Sequence, residues 1–357
     1  MNSGLYLELN PFSIMDLFSF ITALVLAVLF VSRKSENQKA NVYLALALMS
    51  LALEVLDVLS LSIYPIEIRF IQTSLFTIPF LFFYIYQSTN QPLKWTHYLL
   101  FLPGLLINTL LLFFDGEIEC RWIEYGFNIT LLIFIWKKLK NHREELQQFY
   151  SDLEYKTLKW MMLIVYVFLG FHALWIMEDI IGVQNEIIPD YFALLSSLLT
   201  FIMIFWMGHF GFSQQESFKK KLFQETKLKQ EKPMADSIIE NKDEEVFKQI
   251  CAEILEQRIF TNPKLNLRSL AEELELNEKE LSRIINQQSE LNFYRFINQF
   301  RVDEFKKLLH SPQSQKLSII GMAEEAGFNS KSTFYTAFKS VEGITPKEYG
   351  LQHKVSK

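Results

Sequence analysis

Cysteine, glycine and proline are scarce in this 357-residue chain, which has 2 Cys, 12 Gly and 10 Pro. Two thiols, Cys120 and Cys251, cannot build a disulfide framework or a Cys-based zinc site unaided. So little Gly and Pro beside 50% hydrophobic and 15% aromatic residues excludes a collagen-like or disordered chain. No His-Glu-x-x-His or other metal-ligand spacing occurs, and no nucleophile–base set, so the sequence predicts no catalytic residues, no metal and no cofactor. No half of the apolar region repeats the other, although internal repeats are common in transporters. A transporter or membrane enzyme with a helical regulatory or protein-interaction tail stays open as the alternative.

What the chain does have is long runs without charge. Residues 17–32, 70–93, 95–114, 160–177 and 191–215 contain no Asp, Glu, Lys or Arg. A helical span needs about 20 mostly apolar residues. The pattern predicts seven spans, at 13–31, 41–63, 68–88, 96–114, 118–136, 159–182 and 190–212, with the second and fifth the least regular because they carry charge. The expected architecture is all-α: a polytopic membrane helix bundle over 1–212, a polar linker over 213–242 and a soluble all-α domain over 243–357.

Short-loop Lys and Arg mark the cytoplasmic side. Arg33, Lys34 and Lys39 follow span one, Lys137, Lys138, Lys140 and Arg143 follow span five, and Lys219–Lys221 follow span seven. The alternate loops are acidic, with Glu67, Asp115, Glu117, Glu119, Glu186 and Asp190. This places the N-terminus outside and the C-terminal half in the cytoplasm. Residues 1–12 lack a positive side chain and no small-residue cleavage pattern follows, so the first span reads as a retained anchor. Lys219–Lys221 are expected against anionic lipid headgroups, and Pro233 ends any helix that continues from span seven.

Ionisable residues inside spans usually face a bundle interior or a watery cavity. Glu54, Asp57 and His172 are therefore candidates for a signal pocket. Glu178, Asp179 and His97 lie nearer the span ends, where water is close.

From Asp243 onward one amphipathic helix follows another. Two segments have helix-turn-helix form. In LRSLAEELELNEKELSRIIN (267–286), Leu270, Ala271 and Leu274 share one face, Asn277 can cap, and Leu281, Ile284 and Ile285 point inward. In IIGMAEEAGFNSKSTFYTAFK (319–339), Ala323 is small where helices would cross, Gly327 suits a turn with positive φ, and Phe334 and Phe338 lie one turn apart.

Residues 265–350 resemble the DNA-binding domain of AraC-type transcription regulators. The most specific part is AEEAGFNSKSTFYTAFKSVEGITPKEY (323–349), which matches that family's Ala-x-x-x-Gly-Phe, Phe-x-x-x-Phe-Lys and Gly-x-Thr-Pro-x-x-Tyr elements. A membrane region before such a domain is similar to the membrane-anchored AraC-like regulators of bacteria. The resemblance implies a one-component regulator in the inner membrane that couples a signal to sequence-specific binding of promoter DNA. Its partners would be the major groove of double-stranded DNA, the lipid bilayer, a signal ligand or membrane partner, and a second copy in a homodimer. Two positions depart from the family pattern: Glu275 stands where a turn glycine is common, and Gly350 where an arginine is common.

The helix predicted over 291–309 would be roughly 28 Å long. With the widths of the two units added, that separation suits two recognition helices in successive major grooves, roughly 34 Å apart. Lys279, Ser282, Arg283 and Asn286 on the first recognition helix are candidate DNA contacts, with Ser330, Lys331, Ser332, Tyr335, Thr336 and Lys339 on the second. Arg and Lys suit guanine, Asn suits adenine, and hydroxyls serve bases or phosphates. Residues 243–357 carry 16 basic and 17 acidic side chains, an unusual balance for a polyanion binder. Because the acids crowd the first unit, binding led by the second unit is expected.

Overall fold

The computed structural model describes residues 6–7, 10–33, 37–60, 63–64, 73–89, 91–113, 121–153, 159–181, 188–218 and 239–352. Among them the regular elements are helices and two short strands, β1 (Tyr6–Leu7) and β2 (Ile63–Tyr64), which pair antiparallel with Tyr6 opposite Tyr64. The chain divides into two units, one made of Met1–Leu139 and Leu158–Phe223, the other of Lys140–Thr157 and Gln224–Lys357. Residues 140–157, which the expected partition assigns to 1–212, group with the C-terminal unit, and the later division falls between 223 and 224, inside the expected linker 213–242.

In the first unit the helices are α1 (Pro11–Ser32), α2 (Gln38–Ser60), α3 (Ser74–Ser88), α4 (Leu102–Phe113), α5 (Arg121–Leu146), α6 (Lys159–Ile181) and α7 (Ile188–Phe218). Asn10 starts α1 with a capping box: its side chain accepts from the Ser13 N–H at 2.8 Å, and Ser13 Oγ accepts from the Asn10 N–H at 3.0 Å. α2 packs between α1 and α3, and α1 also meets α7. Small residues let the backbones approach. A Cβ on Gly211 of α7 would lie 2.6 Å from Phe30 and 2.9 Å from Leu44.

α1 is inside out by the standards of a water-soluble helix. Its buried stripe is Ser13, Asp16, Ser19, Ala23, Ala27 and Phe30, whereas Phe18, Val25 and Val28 on the opposite side are 57%, 52% and 62% exposed. Burial of small and polar side chains with display of large apolar ones suits a solvent that is itself apolar.

Among the described residues, four helical stretches are long and apolar enough to cross a membrane: Pro11–Ser32, Gln38–Ser60, Trp160–Ile180 and Leu194–Phe212. Seven crossing helices are not supported on those grounds. α3 has 15 residues, about 22 Å at 1.5 Å each, against a hydrocarbon core of about 30 Å. α4 has 12 residues and follows a 3-10 helix, Trp95–Phe101, so the predicted fourth span is two elements. α5 is long enough at 26 residues, but its second half is the charged KKLKNHREEL. The predicted linker features at Lys219–Lys221 and Pro233, and the loop residues Lys34, Glu67, Asp115, Glu117, Glu119 and Glu186, lie outside the described residues.

The second unit holds α8 (Ile239–Glu256), α9 (Leu267–Glu273), α10 (Glu278–Ser289), α11 (Phe293–His310), α12 (Ile319–Glu325), α13 (Lys331–Glu342) and α14 (Pro346–Gln352). It has two apolar cores that share α11. Phe293, Phe296 and Ile297 join Leu270, Leu281, Ile284 and Ile285 in one. Val302, Phe305 and Leu308 join Met322, Ala323, Phe334 and Phe338 in the other. The 18 residues of α11 span about 27 Å.

Candidate nucleic-acid interface

α9–α10 and α12–α13 are the two helix-turn-helix units, and their turns are made alike. In the first, the Glu275 N–H donates to Glu272 O and the Leu276 N–H to Ala271 O. In the second, the Gly327 N–H donates to Glu324 O and the Phe328 N–H to Ala323 O. Both are Schellman closures, whose pivot residue adopts the left-handed conformation. Gly327 has φ +96° and Glu275 has φ 54°. The first turn therefore keeps the glycine geometry without the glycine and carries strain of about 1–2 kcal/mol.

Side-chain caps launch the recognition helices. Asn277 accepts from the Lys279 N–H at 2.9 Å, and Ser330 accepts from the Thr333 N–H at 3.0 Å. Past α13, Gly343 (φ 77°) ends the helix and Thr345 starts α14. The Glu348 carboxylate accepts from the Thr345 N–H at 2.8 Å, which holds Glu348 below its usual pKa. Tyr349 packs edge-on against Phe338 with centroids 5.4 Å apart. The Gly-x-Thr-Pro-x-x-Tyr element is thus a stop, a cap, a helix start and a core anchor.

The two reading surfaces differ. On α13, Lys331, Ser332, Thr336 and Lys339 are exposed, while Phe334, Ala337 and Phe338 fill the core. Ser330 is occupied as the cap, and Tyr335 packs on Phe334 with Lys331 over its ring at 5.7 Å. On α10, Lys279 is exposed, but Glu278 and Glu280 flank it in the first turn. Arg283 is half-buried and already paired: its Nη2 donates to Asp243 Oδ1 at 2.9 Å and its Nη1 to Gln287 at 2.8 Å. Half-buried Ser282 and exposed Asn286 are 3.5 Å apart, and Asn286 also reaches Gln148 at 3.4 Å.

Gln148 belongs to a segment that the sequence reading treated only as a loop. Residues 147–153 follow α5 directly and lie across the second unit like a strut. The Tyr294 N–H donates to Gln147 O at 3.0 Å, the Leu267 N–H to Phe149 O at 2.9 Å and the Ser151 N–H to Leu265 O at 3.3 Å. Tyr150 bridges antiparallel to Asn266. Ser151 is fully buried; its Oγ donates to Leu265 O at 2.6 Å and accepts from Arg301 Nη2 at 3.1 Å. Arg301, also fully buried, donates from Nε to Phe260 O and from Nη2 to Asn262 O, both at 2.8 Å. Burial without a bonded carboxylate pushes this guanidinium down to about 10.

The same junction explains Gly327. A Cβ there would sit 2.7 Å from Phe260 O and 2.7 Å from Thr261 Cα, so the chain at 260–262 passes directly against the second turn. Asp152 completes the strut at the start of α13: it accepts from Thr333 Oγ1 at 3.1 Å and from Asn329 Nδ2 at 3.2 Å. A carboxylate is thus seated where a helix N-terminus favours an anion. Two signals for this arrangement stand in the sequence. Arg301 lies at i+4 from Ile297 and i−4 from Phe305, on an apolar stripe, and Phe149 and Leu153 are apolar residues in a charged loop.

Of the three signal-pocket candidates, Glu54 and His172 line one cavity inside the first unit, and Asp57 is not among its lining residues.

Residues 270–352 match a family model described as a helix-turn-helix domain. The match supports an AraC-type helix-turn-helix regulator, and with it DNA binding and transcription regulation rather than membership of an enzyme family. Neither a curated protein nor a solved structure matches the chain.

Proposed function

We propose that this protein is a membrane-bound one-component transcription regulator, in which the helical membrane domain senses a signal and transmits it to sequence-specific DNA binding. The observation that carries this reading is the strut. α5 runs unbroken from Arg121 to Leu146 and begins in the apolar unit; the residues that follow it are built into the core of the DNA-binding unit through Ser151 and Arg301. A second covalent route, α7 to α8, crosses residues 213–242. The DNA-binding unit is therefore tied to the membrane unit at two places in the sequence, and a change in the membrane helices has a mechanical path to both helix-turn-helix units.

In this reading the apolar outer side of α1 faces lipid. The four long apolar helices alone would leave both chain ends on one side. Trp95–Phe113 adds a 3-10 stretch to α4, seven residues at about 2.0 Å and twelve at about 1.5 Å, for about 32 Å in total. With the first half of α5 and α3, which at about 22 Å would need the bilayer to thin locally, as further passes, seven segments would put the N-terminus outside and the DNA-binding unit in the cytoplasm of a bacterium, in line with the Lys/Arg distribution. α13 enters the promoter major groove, with Lys331, Ser332, Thr336 and Lys339 facing the bases and phosphates and α10 contributing Lys279. Pairing of two copies in the bilayer raises the effective concentration of the recognition helices.

The test is a selection of genomic fragments by the intact protein in lipid nanodiscs, followed by gel shifts at two salt concentrations. The reading expects selective, salt-sensitive binding to a small set of fragments. Absence of binding at low salt would reject it in favour of a transporter or enzyme with a protein-interaction tail. Reporter fusions at 147 and 185 check the topology: the first must report cytoplasm and the second the outside, and the reverse would overturn it.

A further inference from the structure

The first unit holds a cavity of about 100 Å³ where α1, α2, α3, α5, α6 and α7 converge. At about 10–15 Å³ per water, it has room for roughly seven to ten non-hydrogen atoms. Its ionisable lining is Asp16, Glu54 and His172, and no Lys or Arg lines it. Asp16 is 5% exposed and His172 is 2% exposed, so this carboxyl and the ring lie well away from water.

Two polar atoms in the lining residues have no partner. His172 Nδ1 lies 2.8 Å from Phe168 O. A carbonyl oxygen only accepts, so in the neutral ring Nδ1 carries the hydrogen and Nε2 is left as a bare acceptor. Nε2 is buried without a hydrogen bond, and so is Asn128 Oδ1, on a side chain 1% exposed. An unpaired buried acceptor costs about 1–3 kcal/mol, and such groups call for an occupant. The carboxylates and the imidazole nitrogen ask for N–H donors and positive charge. Phe168, Phe171, Trp175 and Met203 supply an apolar wall, with aromatic faces that favour a cation. No group of three His, Cys, Asp or Glu among the described residues is placed to hold a metal ion, which points away from a bare metal cation.

We propose that this cavity binds a small protonated primary amine with an apolar body, its ammonium toward Asp16, Glu54 and His172 and its body against the aromatic wall. The proposal rests on the sensor reading only for what binding accomplishes; occupancy stands on the cavity alone. Helices from the first and last parts of the unit meet around the ligand, and one of them, α5, leads to the strut, so binding that favours one packing of these helices shifts the DNA-binding unit.

The test uses the intact protein in phosphatidylcholine nanodiscs, with empty discs as background, and 2-phenylethylamine as the probe. Equilibrium dialysis is expected to show saturable one-to-one binding of the amine. Binding of neutral 2-phenylethanol should be roughly tenfold weaker or more, and binding of phenylacetate absent. Asp16→Asn and Glu54→Gln are each expected to weaken amine binding roughly tenfold or more, with an unchanged melting temperature and size-exclusion profile as proof of folding. Should either variant fail to fold, His172→Gln, which keeps the polar volume, carries the same expectation. The proposal is overturned by binding no greater than to empty discs, by phenylacetate binding as tightly as the amine, or by full amine affinity in folded Glu54→Gln. Amine binding with no promoter binding under any condition would reject the sensor reading and leave the site standing.

Discussion

If residues 147–153 are part of the DNA-binding unit, removing Ser151 Oγ must loosen amides far away in sequence. Ser151→Ala deletes the bond to Leu265 O at 2.6 Å and the acceptor of Arg301 Nη2 at 3.1 Å, both in a fully buried setting. Leu265 O keeps the Ser151 N–H, and Nη2 keeps Asn262 O, so neither is orphaned outright. The expected loss is about 1–3 kcal/mol, equal to about a 5- to 150-fold shift in a local opening equilibrium. Arg301→Met is more severe. It strips Phe260 O and Asn262 O of their 2.8 Å donors together, for about 3–5 kcal/mol. Because the two side chains touch, their double variant should cost less than the two singles added. The assay is hydrogen exchange by mass spectrometry on the intact protein, read at the Leu267 and Tyr294 amides, which donate to Phe149 O and Gln147 O. Protection there should fall by the factors above, while the Phe334 amide on α13 should change less. Unchanged protection at Leu267 and Tyr294 in both variants would refute the strut. A corollary concerns truncation: a fragment starting at 239 lacks Ser151 and should melt below one to which residues 147–153 have been restored.

Glu275→Gly removes left-handed strain of about 1–2 kcal/mol and adds chain entropy of about 0.5–1 kcal/mol to the unfolded state. It should raise stability by roughly 0.5–1 kcal/mol in denaturant titrations, and a destabilised variant would contradict the shared turn geometry. Lys331→Ala should weaken selective promoter binding by about 1–3 kcal/mol if the ammonium reads a base edge, and equal loss on all sequences would demote it to a phosphate contact. Asp152→Asn keeps hydrogen-bonding capacity toward Thr333 and Asn329 but removes a negative charge from the start of α13. Promoter affinity should rise by about 1 kcal/mol, roughly fivefold, at low salt and by less at high salt; no change in gel shifts would mean that this helix end stays clear of phosphates.

The helical domain was legible because its local signals agree. Asn277 and Ser330 announce the recognition helices, Leu281, Ile284 and Ile285 repeat at helical spacing, and Gly327 marks a left-handed turn. Glu275 was legible as an anomaly, and the anomaly proved to be a positive φ rather than a rearranged turn. The apolar half was legible in composition and less so in count. Pro79 lies inside α3, and Pro103 stands at the start of α4 behind a 3-10 stretch; a hydropathy run does not register where such a residue divides or shortens a helix. Arg283 shows a different limit. Exposure on a helical wheel made it a candidate reader, and only the fold brings Asp243, 40 residues away, within bonding distance. Ser151 is harder still: 150 residues separate it from Arg301, and nothing in its neighbours says that a serine there will be buried.

The strut and the asymmetry between the two reading surfaces bear on one another. Its backbone bonds fall at Leu265 and Leu267, beside the first helix-turn-helix unit, and at Tyr294 on α11, whereas its only carboxylate reaches the second helix-turn-helix unit, at Asn329 and Thr333. The first unit, with Arg283 paired and Glu278 and Glu280 at the head of α10, has little left to offer a phosphate. The second has the exposed lysines, and it is there that Asp152 sits. Under the proposed reading, in which α13 meets the DNA, a regulator held in check would carry its negative charge at α13 and its mechanical anchor away from it. A displacement of residues 147–153 by one hydrogen-bond length would withdraw Asp152 from α13 and Gln148 from Asn286 in one movement, because only three residues separate the two along the segment. The free energy such a movement must supply includes the Ser151–Arg301 contact together with the backbone bonds at Leu265, Leu267 and Tyr294, and the Ser151→Ala variant measures the side-chain share of it.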